Sequence, residues 1–193
     1  MPPDLRPGPD SPPLDELHSA EDSLAVLQHV LHTIAGSDKD KQTPCSEYNV
    51  KQLTTHLLNS IVTLGGMVGA DIAVPEDTDS VEGLVIAAAR PALDAWHKHG
   101  LEGEVPFGDG AIPARAAVAV FSIEFLVHGW DYARAVGSQI NPPDSLSEYV
   151  LGLAQNIIQP PQRQAAGFDD PVRVADDAPP LDRLLAFTGR NPA

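Results

Sequence analysis

The segment from Pro113 to Gly137 most restricts how this chain can fold, because it predicts one long helix with clear ends. Proline is favoured at the first position of a helix, where the missing N–H costs no hydrogen bond, and glycine is favoured just after the last turn. Between these two residues the sequence is mostly Ala, Val, Phe, Ile and Leu. We expect a helix that begins at Pro113, continues through Ala135 and ends at Gly137.

Composition favours helices for the rest of the core. Hydrophobic residues make up 42% of the 193 residues but aromatic residues only 5%, so the interior must be built largely from Ala, Leu, Val and Ile. Such side chains suit close-packed helices better than an aromatic-rich sandwich, and this length suits one domain. We predict an all-α domain over residues 14–193, preceded by a proline-rich, disordered leader over residues 1–13.

Apolar residues at helical spacing and residues that favour helix ends predict five further helical segments. Asn49 and Gln52 are spaced as a capping box, and Pro91 should either kink the third helix or begin a new one. The expected segments are Leu17 to Ile34, Val50 to Val68, Ser80 to Trp96, a weaker helix from Ser145 to Ile158, and a final turn from Leu181 to Phe187. The glycine-rich stretch from Gly100 to Gly110 predicts an irregular connection.

The charge of the chain limits its partners. The 27 acidic residues outnumber the 12 basic ones and give a formal net charge of -15. Such a protein has no sequence-independent attraction to nucleic acid or to an anionic membrane surface, so we expect small-molecule partners instead. The sequence has no run of about 18 apolar residues and no basic start followed by an apolar stretch. We therefore predict a cytoplasmic protein without a transmembrane span or a signal peptide.

Cys45 is the single cysteine, which excludes an internal disulfide framework and a multi-cysteine zinc site. It lies in Thr43-Pro44-Cys45-Ser46, just before the second helical segment. Two interpretations stand. Cys45 is either a nucleophile, whose thiolate the N-terminus of that helix would stabilise, or a small residue that packs under a turn.

Three ionisable residues share one face of the long helix. Glu124, His128 and Asp131 are four and three residues apart, and such positions stack on one side of a helix. Their neighbours on this face are apolar: Ala117, Val120, Phe121, Val127 and Ala135. A buried carboxylate is costly unless it is paired, hydrogen-bonded or bound to a metal. This stripe is therefore the candidate functional site.

Glu124 and His128 can offer an oxygen and a ring nitrogen to one cation, and His56 on the second helix is the candidate third ligand. The polar neighbours of His56 on its own face suit a hydrated pocket. The alternative is a helix-surface ion pair between Glu124 and His128, with His56 a satisfied core residue. Asp131 either orients a ligand or makes an ordinary interhelical or surface hydrogen bond. The remaining histidines are expected at the surface: His18, His29, His32, His97 and His99.

At these residues the chain resembles the DinB-like (DinB/YfiT) superfamily of metal-binding helical bundles, in the actinobacterial branch related to mycothiol-dependent maleylpyruvate isomerase. The matching pieces are Thr43-Pro44-Cys45, His56, Glu124-x-x-x-His128-Gly129-Trp130-Asp131-x-Ala133-Arg134-Ala135 with Gly137, and Asp182-Arg183-Leu184-Leu185-Ala186-Phe187-Thr188-Gly189-Arg190. Together they cover most of residues 15–191. Their combination in this order is more specific than any one piece.

The resemblance implies an up-down-down-up four-helix bundle, here with an additional C-terminal helix and a short irregular tail. It implies that His56, Glu124 and His128 bind one zinc or nickel ion, and that the protein is a homodimer. It also implies an enzyme that transfers a mycothiol-type, low-molecular-weight thiol to a small electrophile. Because the superfamily includes members known only to bind metal, the alternative is a non-catalytic metal- or small-ligand-binding protein, such as a sensor, carrier or stress-related protein.

Overall fold

The computed structural model describes residues 10–75, 80–160, 163 and 168–193, and over these residues the protein is mainly helical. The described ranges hold six α-helices: α1 (Glu16–Leu31), α2 (Val50–Gly66), α3 (Val81–His99), α4 (Ala114–Val136), α5 (Asp144–Ile157) and α6 (Pro180–Phe187). They also hold a 3-10 helix, Gly36–Asp38, and two strands, β1 (Glu104–Phe107) and β2 (Gly110–Pro113). Residues 1–9 of the predicted leader lie outside the described residues. None of the described helices is long and apolar enough to cross a membrane.

Four of the helices enclose the core. α1 packs against α3 and α4, and α2 packs against the same two helices, so the four form a closed ring. In α4, the Tyr132 hydroxyl lies 2.9 Å from the Thr54 hydroxyl of α2, and the Ser122 hydroxyl lies 2.9 Å from the Ser19 hydroxyl of α1. Both pairs are buried, so they set the register of α4 against its two neighbours. The predicted helical class is confirmed, with a small sheet added.

The predicted helix starts agree with the structure where a capping side chain is present. Asn49 accepts the backbone N–H of Gln52, and the Gln52 side chain accepts the backbone N–H of Asn49, which confirms the capping box. Ser80 accepts the backbone N–H of Gly83 at the start of α3. Such caps are local, so sequence spacing alone identifies them.

Other boundaries differ from prediction. α3 continues through Pro91 as one helix, so no new helix begins there. α1 ends at Leu31 instead of Ile34, and the backbone N–H groups of Thr33 and Ile34 bond three residues back, to Val30 and Leu31, in a tighter turn. Pro113 is the last residue of β2 and caps α4, which begins at Ala114.

The irregular connection expected from Gly100 to Gly110 is wrong, because β1 and β2 form an antiparallel hairpin. Val105 pairs with Ile112 and Phe107 pairs with Gly110, which leaves a two-residue turn. Gly108, the first turn residue, has a φ of 56°, a conformation that glycine adopts at little cost. The overlooked signal is a Gly-Asp pair between two short apolar runs. The hairpin packs against the start of α4.

The C-terminal segment returns to the core. α6 packs against α5, which packs against α4. Gly189, just after α6, has a φ of 86°, and a Cβ there would lie 2.5 Å from the Cβ of Asp169, so the turn requires glycine. The next residue, Arg190, is buried. The tail predicted to be irregular is non-helical, but it reaches α4 through this side chain.

Candidate metal centre

His56, Glu124 and His128 meet between α2 and α4. Nε2 of His56 lies 3.3 Å from Oε2 of Glu124, and Nε2 of His128 lies 3.6 Å from the same oxygen. The three atoms that would serve as ligands all lie within 4.8 Å of one another. Helical spacing predicted that Glu124 and His128 share a face, but it did not place α2 against α4. The structure brings the three predicted residues together.

Packing around His56 fixes the direction of its ring. The Tyr48 ring stacks on it, with centroids 5.2 Å apart and planes 23° apart. The His128 ring meets it edge-on, with centroids 5.1 Å apart. Tyr48 lies in the loop before α2, so that loop as well as α2 positions His56. The sequence did not predict this role for Tyr48, and its position directly before the helix cap Asn49 carries no signal of it.

Glu124 Oε2 is buried and accepts no well-aligned hydrogen bond from the described residues. Its distances to the two imidazole nitrogens exceed the 2.7–2.9 Å or so that is usual for a charge-assisted N–H···O bond. Two donors that share one ion at about 2.1 Å, in tetrahedral geometry, lie about 3.4 Å apart. The observed 3.3 and 3.6 Å therefore fit shared coordination better than hydrogen bonding. The unpartnered oxygen and the donor set both fit a divalent ion.

Opposite charges stabilise the ionised forms in this cluster. Burial raises the pKa of Glu124, but the positive charge of His128 and the close contacts with both imidazole rings outweigh burial and hold its pKa well below its usual range. Burial lowers the pKa of His128, but the carboxylates of Glu124 and Asp131 outweigh burial and raise that pKa to about 9. Without an ion, a proton on His128 balances the charge of Glu124. A metal cation bound at the cluster would take over that role.

Asp131 lies behind His128. Its Oδ2 is 3.0 Å from Nδ1 of His128, and Nη2 of Arg190 donates to the same oxygen at 3.0 Å. Burial raises the pKa of Asp131, but the hydrogen bond with His128 and the charge of Arg190 outweigh burial, so its pKa is lowered. An ionised carboxylate only accepts, so Nδ1 of His128 donates and Nε2 is left to face Glu124. Asp131 has the contact that its ligand-orienting interpretation requires.

Arg190 completes this chain of contacts, and residue spacing did not predict it. It is 59 residues from Asp131, with its side chain only 6% exposed. The available signal was weak, namely a Gly-Arg pair after the last helical segment.

Cys45 is half-buried, and burial raises the pKa of its thiol, the opposite of what a reactive thiolate needs. The structure therefore favours the packing interpretation of Cys45.

A cavity of about 730 Å³ lies beside the cluster, with His56 and Glu124 in its wall. Ser60 and Thr63 also line it, as the polar face of α2 predicts, but most of the lining side chains are apolar. Gln52 instead borders a smaller depression on another side of His56. The lining is therefore more apolar than the polar face of α2 alone predicts.

The other five histidines are exposed, as predicted. Each has a contact with a protein oxygen: His18 with Asp15, His29 with Ala25, His32 with Glu82, His97 with Glu21 and His99 with Gly100. Within the described ranges, the His56, Glu124 and His128 cluster is the one group of three ligand-type residues close enough to hold an ion.

Comparison with known proteins identifies relatives but no activity. No family model matches the chain, and no solved structure matches it. It is similar to two Mycobacterium tuberculosis proteins, uncharacterized protein MT0763 of strain CDC 1551 / Oshkosh and uncharacterized protein Rv0738 of strain ATCC 25618 / H37Rv. Each is 26% identical to this chain over 180 residues, which cover 92% of this chain and 97% of the relative. The similarity spans nearly the whole of each protein.

Proposed function

We propose that this protein is a DinB-like, metal-dependent thiol S-transferase that binds one zinc or nickel ion through His56, Glu124 and His128. The observation that carries the proposal is the buried Glu124 Oε2, which lies between two imidazole nitrogens without an aligned donor. In this proposal a mycothiol-type thiol is the cosubstrate and a small electrophile is the acceptor. The homodimer and the cytoplasmic location stay predictions.

The donor set suits an open, reactive site. Two imidazoles and one carboxylate are the ligands of several catalytic zinc sites, and three protein ligands leave a position for a small molecule. When bound, the ion would lower the pKa of a thiol that reaches it, which provides a thiolate at neutral pH. Asp131 holds His128 with Nε2 toward Glu124, and Tyr48 holds the ring of His56. These contacts keep the donors in place before a ligand arrives.

The transfer itself is a nucleophilic substitution or addition at carbon. The thiolate sulfur donates an electron pair to the electrophilic carbon, and a sulfur–carbon bond forms. In a substitution, the bond to the leaving group breaks and its electron pair departs with that group. In an addition to a double bond, the π electrons move to the adjacent atom, which then takes a proton. The thiol proton passes to solvent, and no external oxidant or reductant is required.

One observation favours the non-catalytic alternative. Among the described residues that line the cavity, the ionisable side chains are His56 and Glu124, and both are proposed ligands. No other side chain in that lining can act as a general acid or base. A protein that only binds a metal or a small ligand would need none. The two functions separate on turnover, because only the enzyme consumes thiol and electrophile repeatedly.

Elemental analysis of protein purified without a metal-binding tag tests the metal site. We expect about one equivalent of zinc or nickel in the wild type, and its loss in both His56→Ala and His128→Ala. His97→Ala is the matched control, because this exposed histidine also contacts a glutamate, and it should keep the metal. If no metal binds after reconstitution with zinc and with nickel, the proposal is wrong.

Turnover assays then test the enzymatic part. With metal bound, the wild type should consume more than one equivalent of thiol per protein, and Glu124→Gln should abolish this. Bound metal with no thiol consumption across a panel of electrophiles would support the non-catalytic alternative instead.

A further inference from the structure

The geometry of the cavity beside the cluster points to its ligand. We propose that it binds the electrophile, and that this electrophile is an uncharged, apolar molecule. The inference rests on the proposed thiol transfer and adds the class of the acceptor substrate.

The cavity leads away from the cluster along two helices. Thr63 on α2 and Met67, the residue that follows its end, lie about two and three turns beyond His56 in the same wall. On α4, Val120 lies one turn before Glu124, also in the wall. His56 and Met67 are eleven residues apart, which corresponds to about 16 Å along a helix. A molecule in this space would therefore have one end at the cluster and the rest along the helices.

The size of the space suits a small molecule. Its volume of about 730 Å³ lies in the range of about 300 to 1,000 Å³ that is usual for such sites. The hairpin and the end of α5 also contribute to the lining. Phe107, a residue of this lining, is 55% exposed, so an apolar side chain lies where the lining meets solvent.

The described lining residues are mostly apolar. The apolar ones include Met67, Ile112, Val120, Ile123, Ile157 and Phe168. Among the described lining residues there is no Lys and no Arg, and the polar ones other than His56 and Glu124 are neutral Ser, Thr or Asn. In the proposed reaction the open position at the ion belongs to the thiolate. An anionic electrophile would then be buried without a cation, at a cost that an uncharged one avoids.

Two fluorescent probes with nearly the same skeleton test this inference. Phenylnaphthylamine is uncharged, and anilinonaphthalene sulfonate adds one negative charge. We expect the wild-type protein, with its metal content measured, to bind the uncharged probe at least about 10-fold more tightly, about 1.4 kcal/mol by the usual conversion. The readout is the fluorescence titration, so it does not depend on turnover.

A pair of matched variants locates the binding. Val120→Lys places a cation in the cavity wall, whereas Val62→Lys makes the same change at an exposed position of α2 outside that lining. We expect Val120→Lys to weaken the uncharged probe about 10-fold and to tighten the sulfonate, and Val62→Lys to change neither. Circular dichroism and thermal melting establish that both variants fold. If Val120→Lys does not fold, Val120→Thr should weaken the uncharged probe by a smaller factor.

The outcomes separate this inference from the proposed function. Preference of the wild type for the sulfonate, or equal effects of the two lysine variants, would overturn the inference even if metal is bound. The expected probe preference in a protein that never binds metal would support an apolar ligand site while the metal-dependent function fails.

Discussion

Glutamate–histidine contacts join helices in two regions of this protein, and they differ in length and in burial. Between α1 and α3, His32 Nδ1 lies 2.9 Å from Glu82 Oε2, and His97 Nε2 lies 2.7 Å from Glu21 Oε1. These are ordinary hydrogen-bond lengths, and both histidines are exposed. Water can solvate whatever charge these pairs leave uncompensated.

The second region, between α2 and α4, has the same residue types in a different arrangement. One oxygen of Glu124 faces two imidazoles at 3.3 and 3.6 Å, is buried, and has no aligned donor. A buried oxygen without a partner destabilises the fold, and contacts as long as these compensate for little of that cost. The difference teaches that residue identity does not distinguish a structural pair from a ligand site. Distance, alignment and burial do.

The largest effect should come from the ion pair that supports the buried region. Arg190→Met leaves Asp131 buried without its cation, and loss of one partner of a buried pair costs about 3 to 5 kcal/mol. The matched control is Arg115→Met, because Arg115 is half exposed and pairs with Glu16 at the surface. We expect the control to lose no more than about 1 kcal/mol. Urea unfolding measures both, and equal losses would show that burial does not separate the two regions.

The metal-free protein should lose stability at alkaline pH because of His128. Its pKa is raised above its ordinary 6.5 to about 9 in the folded state, so its contribution is complete below about pH 6.5 and is lost as pH rises through about 9. A pKa shift of this size corresponds to roughly 3 kcal/mol of folding free energy.

Glu124 has the opposite dependence. The pKa of Glu124 is lowered on folding, so its contribution to stability is complete above its ordinary pKa of 4.5 and is lost as pH falls.

Urea unfolding of chelator-treated protein from pH 6 to 10 measures the alkaline loss of stability assigned to His128, with His128→Gln as the control. The same slope in wild type and His128→Gln would show that another group causes the loss.

Metal should stabilise only through the buried region. At a free zinc or nickel concentration about 100 times the Kd, binding adds about 2.7 kcal/mol and raises the melting temperature. Glu124→Gln should lose this increase, whereas Glu82→Gln should keep it, because the Glu82 carboxylate contacts Gln28 and His32 and lies outside the cluster. Scanning calorimetry with and without metal measures the rise in melting temperature of each variant. A similar loss in both variants would mean that the ion binds elsewhere.

The sequence predicted features that depend on neighbours along the chain. The Asn49 and Gln52 capping box is correct because both partners lie within one turn. The shared face of Glu124 and His128 is correct because helix geometry alone determines it. The hairpin was missed because its strands are only four residues each, too short for a periodic pattern to be distinct.

Features that depend on which elements pack together were not predictable in the same way. Periodicity shows which face of a helix is buried but not which helix covers it, so the approach of His56 to Glu124 followed from the family resemblance and not from spacing. The contact of Arg190 with Asp131 joins residues 59 positions apart through a turn at Gly189. That turn and the packing of α6 on α5 depend on tertiary contacts, so no local sequence signal predicts that Arg190 reaches Asp131.

The smallest effects should come from the surface pairs themselves. Glu21→Gln and His97→Ala each remove one partner of an exposed contact between α1 and α3, and such contacts contribute about 0 to 1 kcal/mol because solvent screens them. The double variant gives the coupling between the two residues, which we expect to be within about 0.5 kcal/mol of zero in 0.15 M salt. Urea unfolding of the four proteins measures it. A coupling of several kcal/mol would mean that exposed glutamate–histidine pairs also stabilise the fold. The two regions would then differ in ligand binding alone.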